Sequence, residues 1–535
     1  MKNYPSPSLV VDKYGADALR LYLINSPVVR AEPLKFQEAG VFEVVKSVFL
    51  PWFHAYRFLV ENIQRYEKEN SLTFKVDLTS SKAMNVMDLW ILSSFQSLVK
   101  FVHQEMAAYR LYTVVPRLLL FIDQLTNWYV RMNRSRLKGK FGQEDSYLAL
   151  STLFNVLFNL CKLMAPFTPF FVDFIYQNLK RVLNEADQVD CVHYLMIPVE
   201  DASQTNTKIE ESVARMQTVI ELGRNARDKR KLTMKRPLKN VLVVHKDPSY
   251  LADVKGLEQY VREELNVRTV DFSSEVDKFI LLKAAPNRKA LGARFGKASV
   301  EAGKFVTGMT HAQILQFQAD GFATFNGEKL TSDEIDVSMN FQGDKNIMED
   351  CGNNDVLVII NVEEDAELVA ESLAREVTRA VQQLRKKAGL VPTDDVEVFY
   401  SSTPKGESGA LVKAIHSQSK FIREILGREV HPINRKMSGA TVLIEGPLEL
   451  EGEETVQIVL TRLFLSFSDS AISELKLSKE TVATAKLYLS QKDWINLRSQ
   501  TQHQPNVEMN IAGEKVIFTA GKHFFFFVKD AAEAQ

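Results

Sequence analysis

The chain has 535 residues, 45% hydrophobic and 25% charged, which is the make-up of a soluble protein of about three or four domains at ~150 residues each. Its formal net charge of −1 excludes a globally basic nucleic-acid binder, so any such site has to be a local patch. Cys161, Cys191 and Cys351 lie far apart without a CxxC pair, which points to a reducing compartment and excludes a disulfide framework or a cysteine-based structural zinc. No run of eighteen apolar residues exists, so no membrane span is expected. The opening MKNYPSPSLVV lacks the apolar stretch of a signal peptide.

Residues 13–29, KYGADALRLYLINSPVV, are apolar-periodic through Leu19, Leu21, Leu23 and Ile24. They read as the interior of a larger domain rather than a capped start. Gly40 is an expected break. Residues 41–69 then form one helical pattern with a kink expected at Pro51, and residues 88–104 a second. Residues 106–140 form a third, with a buried stripe of Leu111, Val114, Val115, Leu118, Ile122, Leu125 and Tyr129. Pro116 is expected to kink or split it. Residues 145–165 are a fourth helix, ended by Pro166 and Pro169 in the MAPFTPFF element, and residues 168–183 a fifth. Residues 210–231 are a sixth, with Val213, Met216 and Ile220 buried. Apolar-striped helices joined by short loops pack as a bundle.

Two basic stretches carry the chemistry. Arg131, Arg134, Arg136, Lys138 and Lys140 follow one another with no acid until Glu144. On a continuous helix Arg131, Arg134 and Lys138 share a face, with Trp128 and Tyr129 about one turn earlier. Guanidinium forks suit phosphate geometry, and a nearby aromatic can stack on an unpaired base. The blander reading is a solvated helix end favoured by the helix dipole. The second stretch, RNARDKRKLTMKRPLK at 224–239, sets eight cations against Asp228 alone. A continuous helix there places Arg224, Arg227 and Lys231 on one face, with Arg230 beside them. That density is a phosphate-backbone footprint or, again, a solvated helix end.

Beyond Pro237 the period changes. VLVVH (241–245), VRTVDF (267–272) and VLVIINV (356–362) read as strands, residues 254–265 and 366–387 as helices, and VEVFY (396–400) as a strand closing that unit, which suggests a small α+β domain. The helix at 366–387 carries Arg375, Arg379, Arg385, Lys386 and Lys387. Residues 411–426 look helical, and short strands follow at 441–445, 456–461 and 516–521. Phe524, Phe525, Phe526 and Phe527 form either a buried final strand or a segment needing a partner to cover it, with the buried strand preferred.

Several of these stretches resemble one family. KNYP followed by YGADALRLYLINSPV resembles the segment just after the KMSKS loop of class I aminoacyl-tRNA synthetases, in the isoleucyl branch of eukaryotic cytosolic type. LTNWYVRMNRSRLKG and LMAPFTPFF resemble signature helices of that family's anticodon-binding domain. LAREVTRAVQQLRKKAGLVPTDDVEVFY, residues 373–400, resembles its junction domain and is the most specific match. VEMNIAGEKVIFTAGK resembles the last strands of a ubiquitin-like appended module. The resemblance is good over residues 1–400 and patchy afterwards.

The resemblance implies a mainly α fold: a tail of the catalytic core at 1–30, a helical anticodon-binding bundle at 31–235, an α+β junction domain at 236–400, and an appended region at 401–535 that is ubiquitin-like at its end. It implies the tRNA-recognising part of an isoleucine–tRNA ligase, cytoplasmic, whose partners are isoleucine-accepting tRNA, a catalytic half preceding these residues and a multi-synthetase complex. ATP and magnesium would serve the intact enzyme, with no cofactor or metal held by this chain and no catalytic residue in it. The tRNA-contacting residues would be Arg110, Arg117, Trp128, Arg131, Arg134, Arg136, Lys138, Arg224, Arg227, Arg230 and Lys231. The sequence has no H-x-G-H quartet and no glycine-rich phosphate loop, so the chain alone is expected to be inactive. Lys436-Met437-Ser438 is followed by Gly439, not lysine, and reads as coincidence. His103 with Glu105, and His193 near Cys191, lack ligand spacing and read as structural. The rival readings are a valyl- or leucyl-type enzyme, a non-catalytic RNA-binding or scaffold protein derived from a synthetase, and a partial chain.

Overall fold

Apolar residues at three- and four-residue spacing do build helices in the first half of the chain, as a computed structural model shows. The structure describes residues 6–76, 85–341, 343–344, 346–353, 355–390, 396–403, 409–436, 440–449, 455–462, 465–492, 497, 500–501, 504–511 and 513–526. Two compact units result: Met1–Glu221 with His245–Val261, and Leu222–Val244 with Arg262–Gln535.

The first unit is a helical bundle. Helices α1 (Pro7–Tyr14), α2 (Ala16–Ile24), α3 (Glu38–Val44) and α4 (Leu50–Asn70) come first. The break expected at Gly40 is absent. Gly40 lies inside α3 with the Tyr22 ring 2.5 Å from where a Cβ would sit, so it serves close packing instead of a turn. Ahead of Pro51, which has no N–H to donate, the backbone widens into a π turn at Val45–Phe49 and continues into α4.

Next come α5 (Val86–Ala107), α6 (Leu111–Asp123), α7 (Arg134–Leu137), α8 (Gln143–Met164), α9 (Pro169–Leu179) and α10 (Thr207–Lys229). Six of the seven residues of the expected stripe, Val114, Val115, Leu118, Ile122, Leu125 and Tyr129, are buried, and Leu111 at the start of α6 is half-buried. The interruption falls earlier than expected, at a turn before α6 where Tyr109 has φ 58°, and α6 runs through Pro116. Among the described residues α8 is the one helix long and apolar enough to cross a membrane, and it is buried along most of its length against α4, α5, α7 and α9.

The second unit is α+β. Strands β1 (Leu238–Val244), β2 (Val267–Ser273), β7 (Met348–Gly352) and β8 (Leu357–Asn361) form one sheet in the order β2-β1-β8-β7, with β1 and β2 parallel and the other pairs antiparallel. Between β1 and β2 in sequence come α11 (Pro248–Gly256), which belongs to the first unit, and α12 (Glu258–Leu265), which the division at Val261 splits. An insertion follows β2: β3 (Ile280–Pro286), α13 (Arg288–Phe295), α14 (Ser299–Thr307), α15 (His311–Asp320), the hairpin β4 (Ala323–Phe325) and β5 (Glu328–Leu330), and β6 (Ile335–Phe341), which pairs antiparallel with β3.

Helix α16 (Ala366–Lys387) starts where the Asp365 carboxylate accepts the Glu367 and Leu368 N–H groups. Its apolar face packs on a second sheet with α17 (Ala410–Ser417) and α18 (Ser419–Leu426). That sheet joins β9 (Val396–Thr403), β10 (Val430–Pro432), β11 (Val442–Glu449) and β12 (Thr455–Arg462) in the order β10-β9-β12-β11. Residues 396–400 therefore open this sheet rather than close the sheet of β1. At the end, β13 (Ser466–Phe467), α19 (Asp469–Ser473), α20 (Lys479–Gln491) and the hairpin β14 (Asn506–Ile511) with β15 (Glu514–Thr519) share a core with β16 (Phe524–Phe525), which pairs with β13. Phe524 and Phe525 are buried, as the final-strand reading expects. Phe527, Met1 to Pro5 and the Met437-Ser438 string lie outside the described residues.

Candidate nucleic-acid interface

Length and connection separate the two ends of the bundle. Residues 111–130, α6 plus the π turn Gln124–Val130, make one rod of roughly 30 Å, and the 22 residues of α8 span about 33 Å. At one end Asp17 accepts the N–H groups of Phe171 (2.7 Å) and Phe170 (3.1 Å), and the Arg20 guanidinium donates to the carbonyls of Pro166 (3.0 Å) and Phe167 (3.3 Å). Burial pushes the Asp17 carboxyl up, against the pull of those two N–H groups. The DALR and MAPFTPFF stretches are thus two halves of one joint, in which a carboxylate satisfies the first N–H groups of α9.

The opposite end carries the basic run. Residues 131–143 hold no carboxylate, and Arg131, Arg134, Lys138 and Lys140 are all exposed. The Arg134 guanidinium lies 5.6 Å from the Phe58 ring centroid, and the Lys140 ammonium 6.0 Å from that of Phe141. The turn that carries them has Gly139 at φ 73°, and a Cβ there would come within 2.8 Å of an Arg65 nitrogen. Arg65 itself donates to the Leu137 carbonyl (3.0 Å), which ties α4 to the tip.

Arg136 does not belong to this surface. It is 7% exposed, and both terminal nitrogens donate to Asp88 (2.9 and 3.0 Å) while Nε donates to Asp145 (2.8 Å). The Tyr129 hydroxyl donates to the same Asp88 (2.7 Å). Burial by itself would lower the Arg136 pKa, but the hydrogen bonds it donates to Asp88 and Asp145 raise it. Burial, then Asp88, hold the Tyr129 hydroxyl protonated. The cluster fastens α5, α7 and α8 together.

Trp128, expected to stack on a base, is only 7% exposed. The π turn brings the adjacent rings of Trp128 and Tyr129 both to the interior, where an α-helical count would have left one outside. Exposed aromatics of this unit lie elsewhere: Phe141 within the basic tip, Tyr109 and Tyr112 at the start of α6, with Tyr109 93% exposed, and Phe42, Phe170, Phe174 and Tyr194 outside both. The sequence signal for Phe141 was available, as an aromatic beside glycine in a basic turn. Arg110 and Arg117 sit toward that other end of α6, so the bundle does not gather them with Arg131. Arg110 pairs with Glu105 (2.8 Å), and Arg117 lines a small groove shared with Glu210 and Glu211.

The second basic stretch is largely a structural joint of the second unit. Arg227 is fully buried, and its terminal nitrogens donate to the carbonyls of Leu265 (2.7 Å), Thr233 and Arg236 (both 2.9 Å), with a longer contact to Asn266 (3.4 Å). Burial pushes its pKa down to about 10, which still leaves it charged at neutral pH. Arg224 pairs with Glu264 (2.5 Å) and Arg230 with Glu349 (2.6 Å). Helix α10 ends at Lys229, and Lys231 follows in the left-handed region at φ 55°. The expected common face of Arg224, Arg227 and Lys231 therefore does not exist. Of these, Lys231 is the exposed one.

Residues 88–242 match the family model described as the anticodon-binding domain of tRNA ligase, and residues 1–35 match that of class I tRNA synthetases (I, L, M and V). Over 519 residues the chain is 44% identical to the cytoplasmic isoleucine–tRNA ligase of Arabidopsis thaliana, covering 94% of this chain and 43% of that protein. It is 46% identical to the probable cytoplasmic isoleucine–tRNA ligase of Dictyostelium discoideum (80% of this chain, 40% of that one) and 44% identical to the cytoplasmic enzyme of Mus musculus (86% and 37%). The chain thus spans less than half the length of these relatives.

Proposed function

We propose, from the premise that this chain belongs to the isoleucine branch of the class I aminoacyl-tRNA synthetases, that it is the tRNA-recognising part of a cytoplasmic isoleucine–tRNA ligase. The observation that carries the reading is the carboxylate-free tip at 131–143, exposed at the end of the bundle farthest from the joint that holds the class I segment. Arg131, Arg134, Lys138 and Lys140 would hold phosphates of the tRNA backbone, and Phe141 would offer a face to an unstacked base. The DALR–MAPFTPFF joint would transmit that grip to a catalytic domain, orienting the acceptor end of the tRNA toward it.

In this proposal ATP and magnesium serve the intact ligase, and membership of a multi-synthetase complex concerns that whole protein. The residues present do not fit an ATP site: the sequence has no H-x-G-H quartet, and Lys436 follows a three-residue edge strand and a 3₁₀ turn. The test is binding of an isoleucine-accepting tRNA transcript to the purified chain at stepped salt concentrations. Affinity is expected to fall steeply and linearly on a log–log plot, by ~0.9 per phosphate contact. A flat dependence would contradict the proposal. Isoleucine-dependent pyrophosphate exchange by the same preparation is expected to stay at background.

A further inference from the structure

We infer that the groove between α13 and α14 is a second RNA-contact site, one that holds a phosphate of the backbone between Arg288 and Lys304. It rests on the reading of the chain as a tRNA partner, and it lies in the insertion of the second unit, on residues that none of the assignments above uses. The groove encloses about 670 Å³. Its floor is apolar or without side chain, made by Pro286, Val300 and Gly303, and no carboxylate lines it.

Helix α14 carries two stripes. Ala302 and Val306 are buried in the core of the insertion, while Val300, Gly303, Lys304 and Thr307, at i, i+3, i+4 and i+7, face the groove. A helix whose second stripe is an exposed valine, a glycine and a lysine has no packing reason to be so; Val300 is 66% exposed. Arg288 and Lys304 are exposed and have no ion pair among the described residues. Across residues 283–304 the sequence sets Lys283, Arg288, Lys289, Arg294, Lys297 and Lys304 against Glu301 alone. Arg294 is taken up by Glu328 and Glu334 in the fold, while Arg288, Lys289 and Lys304 are exposed.

Two cations across a carboxylate-free cleft favour an anion, and the length of apolar floor favours one attached to a larger body. A phosphodiester with its ribose fits both demands. The chain already has a polyanionic partner in the proposed reading, and a run of six cations to one acid is the pattern expected of a backbone contact.

The experiment compares tRNA binding by the full chain, by Arg288→Ala/Lys304→Ala, and by Gly303→Leu, which fills the groove without changing charge. The double variant is expected to bind roughly tenfold or more weakly near 0.1 M salt, with the log–log slope lowered by about 1.4–1.8 for two contacts. Gly303→Leu is expected to weaken binding at unchanged melting temperature, which loss of general surface charge would not explain. If the unmodified chain binds tRNA and both variants bind as it does, the groove assignment is overturned and the tRNA reading stands. If the unmodified chain does not bind tRNA at all, both fall. If polyglutamate binds the unmodified chain and loses that binding in Arg288→Ala/Lys304→Ala, while tRNA binds all three proteins alike, the occupant is an acidic protein and the inference is wrong.

Discussion

Replacing Arg136 with methionine is expected to destabilise the helical unit by roughly 3–5 kcal/mol, the usual cost of removing one partner from a buried ion pair. The substitution keeps the volume of the side chain and removes the charge. Asp88 then stays fully buried with the Tyr129 hydroxyl as its remaining donor of the set, and Asp145 loses its partner. The shape is conserved, so the loss measures the uncompensated carboxylate rather than a cavity. For a unit of this size the melting transition should fall by about 10 °C or more. Removing both ends, as in Asp88→Asn with Arg136→Met, should recover part of the loss. Thermal unfolding followed by circular dichroism reads this directly, and a shift within a degree or two would mean that Arg136 is not part of the bundle's interior.

The second large effect is expected at Arg227, where a guanidinium satisfies carbonyls from α12, from the turn after it and from the loop leading into β1. The Thr233 and Asn266 carbonyls keep the N–H groups of Arg236 and Leu238, so Arg227→Met takes the donor from two interior acceptors, the Leu265 and Arg236 carbonyls, each costing about 1–3 kcal/mol. A loss of several kcal/mol in the second unit is expected, with hydrogen exchange quickening first in residues 230–240. A phosphate-binding arginine would behave the other way, weakening tRNA binding and leaving stability alone. The two predictions therefore sort the arginines of the two basic stretches into those that build the fold and those that face a ligand.

That sorting is where sequence reading ran out. The helices at 88–104, 145–165 and 366–387 were legible because amphipathic period, breakers and caps agreed, and the buried faces of α6 and α10 follow directly from spacing. Arg136 and Arg227 were not legible as interior residues. Besides partners nearer in sequence, Arg136 reaches Asp88, 48 residues away, and Arg227 reaches Leu265, 38 away, and nothing local distinguishes either arginine from Arg134 or Lys229. Trp128 was misjudged for a different reason: the π turn shifts the phase of the helix by part of a residue, and an α-helical count cannot detect it. The joint of Asp17 and Arg20 with residues 166–171 was visible as two separate motifs, but their pairing across some 150 residues came only with the fold.

The central claim is that the tip at 131–143 grips the backbone of an isoleucine-accepting tRNA. The most direct measurement is the salt dependence of tRNA binding by the unmodified chain and by Arg131→Ala/Arg134→Ala/Lys138→Ala. With three phosphate contacts removed, the log–log slope should fall by about 2.7 while the melting temperature stays where it was. An unchanged slope in a fully folded triple variant would place the tRNA on another surface of the protein.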